Sequence, residues 1–255
     1  MRIFENLPTA ERVEAAKEKT RRIVDHLLYL LALHENNAIV LYSPTVSAQI
    51  PTSFAANAFN TFQRGLHLFE IVRLCALWDS ARPDRESIPT VIQLIDDSDV
   101  IETLVQETAA QWQKREPQLP LDDIDPELHN EVIQQLRLNQ EGFAQQEAQK
   151  AREGLRKAIH DSRLITSSQK LQSILNLRHK SLAHSLSVTD LERKLGEVEP
   201  MKYGYERDVL NSTLPIVEAL YCWVNGCSFL FENSQKIARK NAEALWTACT
   251  FNIRR

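Results

Sequence analysis

Helical periodicity runs through almost the whole chain and leaves little room for any other architecture. In TAERVEAAKEKTRRIVDHLLYLLALHENNAIVLYS, Val13, Ile23, Leu27, Leu30, Leu31 and His34 recur at the spacing that lines one face of an α-helix. This predicts a first helix over 10–41, with Thr9 as its N-cap after Pro8. SFAANAFNTFQRGLHLFEIVRLCALWDSA predicts a second over 53–80, strongly apolar and central. Alternating strand patterns are nearly absent, and six Gly and ten Pro in 255 residues allow few turns. The expected fold class is all-α, an antiparallel helical bundle in one domain over 1–255.

Further elements follow the same logic. SIPTVIQLI predicts a short helix with Ser87 as cap and Pro89 in its first turn, and DSDVIETLVQETAAQWQK predicts another. REPQLPLDDIDPEL, with three Pro and a run of Asp, reads as the main loop. A helix capped by Asp125 then runs over roughly 126–164. At about 1.5 Å per residue it exceeds roughly 50 Å, which suits an arm projecting from the body, bent at Gly142 or Gly154. TSSQ (166–169) has the form of a capping box, Thr166 with Gln169, and opens a motif helix over roughly 167–184. After a loop around 185–203, two more helices are expected, roughly 205–231 and 234–249.

Composition excludes several function classes. Net charge is −4 with a pI near 6.0, so no global basic surface advertises nucleic acid. The charge is split, however. Residues 84–127 carry twelve acidic side chains against three basic, whereas 150–184 carry eight Lys and Arg against Glu153 and Asp161. A local basic face of that kind attracts phosphates. The four Cys form no metal spacing; Cys75, Cys222 and Cys227 sit in apolar surroundings and read as core residues of a reducing, cytoplasmic compartment. The first residues turn charged at once and lack a signal-peptide core, and Pro215, Glu218 and Asn225 break the most apolar run, so no membrane role is expected. No GxGxxG, Walker loop, HExxH or GxSxG occurs, and no cofactor or metal is expected.

What remains is NLRHKSLAHSLS, residues 176–187, which sets Arg178, His179, Lys180 and His184 within seven positions. A neutral imidazole can take a proton from a ribose 2′-OH, and a guanidinium can hold two oxygens of a pentavalent phosphorus. The spacing alone decides little, since Arg21 and His26 in RRIVDH match it too. On an unbroken α-helix, positions six apart point about 120° away from each other. Arg178 and His184 would therefore meet only where the helix ends, or where two chains each supply one of them. Basic side chains at a helix C-terminus also have a plain structural role, against the last carbonyls and the dipole. Arg73 and Asp79, which flank LCALW, read as a helix-end ion pair or cap, with cleft support by Arg73 as the alternative.

The longer string LRHKSLAHS resembles the signature of the HEPN superfamily, an Arg followed by a polar residue with a His four to six positions on. Its form, with Lys before AHS, is similar to the AbiU-type abortive-infection branch, as are LFEIVRLCALWDS and SIPTVIQLI upstream. The resemblance implies a homodimer whose motif helices meet in a composite cleft that cleaves RNA without metal. It implies catalytic roles for Arg178, on the scissile phosphate, and His184, as acid and base. His179 would position the pair, and Lys180 would contact phosphate. An endoribonuclease acting as a toxin or antiphage effector is the implied function, with an antitoxin or other defence protein as partner. The alternative is a non-catalytic HEPN scaffold that binds RNA or a partner protein. A modifiable Tyr close behind the motif, common where the antitoxin is a nucleotidyltransferase, is missing before Tyr203.

Overall fold

A computed structural model describes residues 3–114, 128–183 and 186–253. Among the described residues the regular structure is all helical. Helix α1 (Thr9–Val40) is the axis of the molecule. Its stripe of Val13, Ala16, Ile23, Leu27, Leu30 and Leu31 is fully buried, and six other helices pack around it. Complete burial of a Leu or Ile side chain stabilises by roughly 1.5–3 kcal/mol, so this stripe is a substantial part of the apolar gain. The helix begins with Thr9 itself, not with a Thr9 cap: Pro8 is the flanking residue and no side chain closes that end.

A four-residue turn of helix, α2 (Pro44–Ser47), leads to α3 (Phe54–Leu77). The shorter α4 (Ile88–Ile95) is apolar almost all round and buries Ile88, Val91, Leu94 and Ile95. Arg12 closes its far end: Nε donates to Leu94 O at 3.0 Å, and Nη1 pairs with Asp97 at 3.0 Å. That satisfies carbonyls which the helix leaves open. Asp97 in turn caps α5 (Ser98–Gln113) by accepting from Asp99 N and Val100 N.

Helix α6 (His129–Thr166) lies antiparallel to α5, a course marked by Arg163 on Asp96, Arg152 on Glu102 at 2.7 Å, and Gln140 on Trp112 O at 2.7 Å. The expected projecting arm is therefore reduced to residues 129–139, which extend past the end of α5. From Ala144 on, Ala151, Leu155, Ala158 and Ile159 are buried in the body. Gly154 marks a close approach rather than a bend, because the Trp223 indole lies where its Cβ would be. The Asp125 cap and the loop before it lie outside the described residues.

Helix α7 (Gln169–Leu177) is capped by Ser168, which accepts from Leu171 N at 3.3 Å. The predicted box at Thr166 does not form; Thr166 ends α6 and its hydroxyl donates to Ser162 O. After a π-helical turn come α8 (Asp190–Leu195), inside the expected loop, then α9 (Tyr205–Asn225) and α10 (Phe231–Ala248). Helix α9 stops earlier than expected because Gly226 takes a left-handed φ of 68°. Cys227, just beyond, is exposed rather than a core residue. Among the described residues, no helix is long and apolar enough to cross a membrane.

Candidate active site

The described part of the motif sits on the turn that follows α7. Leu171 and Ile174 anchor α7 in the core, and Cys75 on α3 donates weakly to Ile174 O at 3.8 Å. Residues Arg178–Ala183 then widen into a π-helical turn. A π turn opens the i→i+4 ladder by one residue and shifts the angles that an unbroken α-helix imposes. Such widenings are frequent at functional sites. The chain closes back with Leu186 N donating to Lys180 O at 3.1 Å. His184 lies outside the described residues.

Arg178 is held from across the fold. Nη1 donates to Asp79 Oδ1 at 2.6 Å, and both side chains remain about one-fifth exposed. Asp79 follows Trp78, the residue that ends α3, and Trp78 is fixed by its indole N–H on Thr213 at 3.0 Å. Arg85 stands 3.6 Å from the same Asp79 oxygen. Asp79 is the hydrogen-bond partner of Arg178 among the described residues, which leaves Nε and Nη2 to meet a ligand. Beneath them, burial pushes the Cys75 thiol up to about 12, so it is no nucleophile.

Lys180 is bound on the other side of the turn. Its ammonium donates to Glu192 Oε1 at 2.8 Å, and Asn176 Nδ2 donates to the same oxygen at 3.0 Å. Glu192 belongs to a true capping box: its N–H donates to Thr189 Oγ1, and its carboxylate accepts from Thr189 N at 2.9 Å. Bonds from Lys180, then Asn176, then the Thr189 backbone hold the Glu192 carboxyl down at about 2. The Lys180 expected to contact phosphate is thus ion-paired, and His179, between Arg178 and Lys180 in the sequence, is half-buried.

Of the expected residues, Arg178, His179 and Lys180 share this turn. Asp79, Asn176 and Glu192 complete it and were not expected there. The TDLE string of Thr189 to Glu192 carried a legible signal, whereas the pairing of Asp79 with Arg178, 99 positions apart, left none. The competing match dissolves: Arg21 is exposed, while His26 is mostly buried near Arg73. Burial, then the Arg73 charge, lowers the His26 imidazole to about 4 and keeps it neutral. Arg73 itself lies 5.2 Å over the Tyr29 ring, and the Asp79 read as its helix-end partner pairs with Arg178 instead. Among the described residues, no three His, Cys, Asp or Glu side chains could hold a metal ion.

The sequence model of the HEPN_AbiU2 family, AbiU2, matches residues 14–245. The chain belongs to the AbiU2 family of HEPN domains. No curated protein and no solved structure matches it. The matched span of this AbiU2 chain runs from α1 to α10 and includes the whole motif region, together with Asp79, Asn176 and Glu192.

Proposed function

We propose that this AbiU2 chain is a metal-independent endoribonuclease acting as an antiphage or toxin effector. The observation that carries the reading is Arg178, a partly exposed guanidinium pinned by Asp79 on a widened turn inside the family motif. A pinned guanidinium holds two phosphate oxygens without first losing side-chain freedom. His184 takes the proton of the 2′-OH, the oxygen attacks phosphorus, and the P–O5′ bond breaks. The products are a 2′,3′-cyclic phosphate and a 5′-OH, whose proton comes from the imidazolium of a second His184. That second residue is supplied by a partner copy in a homodimer. An antitoxin or other defence protein would restrain the activity.

The test is cleavage of mixed RNA in EDTA. Wild type should cut, and Arg178→Ala and His184→Ala should each lose at least a hundredfold in rate. Activity that survives His184→Ala removes that residue from the mechanism.

One observation favours a non-catalytic scaffold instead. Asp79 and Glu192 already neutralise Arg178 and Lys180, as in a surface that only docks a partner. Absence of cleavage of any RNA by wild type, with binding of RNA or a partner protein retained, is the result that reading predicts.

A further inference from the structure

Beside the motif turn lies an open pocket of about 860 Å3. Leu177, the residue before Arg178, forms part of its wall. The rest comes from the end of α1 at Tyr42, from α3 at Arg64 and His67, and from the loop before α9 at Met201 and Tyr203.

One carboxylate fastens these three elements together. Glu206, at the start of α9, is 1% exposed. Its Oε1 accepts from Tyr42 OH at 2.5 Å and stands 3.6 Å from His67 Nε2. Both of its oxygens accept from Gly204 N, at 3.2 and 3.1 Å. Gly204 has a left-handed φ of 93°, which turns the chain sharply just after Tyr203. Burial alone would raise the Glu206 carboxyl, but the nearby His67 and the bonds from Tyr42 and the backbone bring it down to about 2. Behind it a second buried carboxylate, Glu70, is held by His34 Nδ1 at 2.6 Å and Asn37 Nδ2 at 2.5 Å. This buried polar network ties the end of α1, α3 and the start of α9 into one arrangement.

That arrangement forms an aromatic platform. His67 and Tyr203 stack at 5.1 Å with planes 20° apart, and Tyr42 meets Tyr203 edge-on at 6.4 Å. Tyr203 is nonetheless 79% exposed, so the ring face away from His67 is open. Arg64 stands exposed at the rim with no ion-pair partner among the described residues. Asn60 and Gln63 add carboxamides to the same wall.

We propose that this pocket holds an unpaired base of the RNA, stacked on the open face of Tyr203, with Arg64 on its phosphate. The proposal rests on the ribonuclease reading, because it is Leu177 that joins the pocket to Arg178 and makes its occupant a neighbour of the scissile phosphate. It narrows the substrate to single-stranded RNA, since a paired base cannot offer its face to a side chain.

The experiment is fluorescence anisotropy of a labelled eight-nucleotide RNA, single-stranded or annealed to its complement, on the full chain carrying His184→Ala. Single-stranded RNA should bind at least tenfold tighter than the duplex. Adding Tyr203→Ala or Arg64→Ala should weaken it about tenfold, and Tyr203→Phe should restore it. Equal binding of the two RNAs, or an unaltered affinity in Tyr203→Ala, overturns the pocket. Because Tyr203 is so exposed, an unchanged thermal melt should show that the variant still folds. Cleavage by wild type is scored separately. Tyr203-dependent binding without cleavage removes the ribonuclease reading and keeps the base site. Cleavage with Tyr203-independent binding does the reverse.

Discussion

Asp79 is the residue on which the candidate site turns. It meets Arg178 at 2.6 Å through a single nitrogen, so it fixes the guanidinium while leaving donors open. Asp79→Ala should lower kcat for RNA cleavage about tenfold with little change in KM, because a loosened guanidinium reaches the transition state less often. Asp79→Asn, which keeps the acceptor, should recover most of that loss; a rise in kcat for Asp79→Ala would mean that Asp79 restrains Arg178. His26 makes a separate prediction. Its imidazole is lowered from 6.5 to about 4, by burial first and Arg73 second. The neutral form is favoured by folding, so its stabilisation is complete above pH 6.5 and is lost as pH falls through about 4. The loss amounts to about 1–2 kcal/mol after discounting for partial exposure. His26→Gln should flatten the fall in Tm over that window, measured by circular dichroism.

At the scale of elements, the helices were legible because the apolar stripes are long, and burial on α1 follows the predicted positions one by one. What a stripe does not reveal is the partner. Gly154 looks like a flexible point in the text, yet it is small because Trp223 crosses there. Gly154→Ala should cost about 1–3 kcal/mol by overpacking, seen as a Tm drop of several degrees. Ends were less legible than middles. Thr166 and Ser168 both offer a cap within three residues, and only the course of α6 selects Ser168. The Thr189 box lay in a stretch too short to show periodicity, although its two residues have the required spacing. Thr189→Ala should cost about 1 kcal/mol and also release Lys180 from Glu192, because the box holds α8 against the motif turn. An unchanged pH dependence of RNA affinity in that variant would argue against a coupling of the two.

Across the whole molecule, the candidate site residues come from segments far apart in the chain. Asp79 lies at the end of α3, Arg178 after α7, and Glu206 and Tyr203 around the start of α9. Their meeting depends on how α3 and α9 pack on α1 and how α7 packs on α9 and α3, which no local pattern encodes. The motif string was therefore readable as a family signature, while its supporting carboxylates were not. Glu206 ties this packing to pH: its carboxyl is lowered from 4.5 to about 2. The stabilisation it gives is present above pH 4.5 and is lost as pH falls through about 2. His34 is shifted the other way. Burial lowers its affinity for a proton, but the bond to Glu70 outweighs that, so its contribution is present below 6.5 and fades as pH rises through its raised value. Glu206 holds Tyr42 and the turn after Tyr203, both on the pocket wall, so Glu206→Gln should lower Tm and loosen RNA binding together.

The central claim is that Arg178 and His184 cut RNA through its own 2′-OH. The most direct measurement is end-group analysis of products from an RNA and from the all-deoxy strand of the same sequence, incubated with wild type in EDTA. The account predicts 2′,3′-cyclic phosphate and 5′-OH ends from the RNA, an intact deoxy strand, and no product with His184→Ala. Cleavage of the deoxy strand, or 5′-phosphate ends on the RNA fragments, would contradict it.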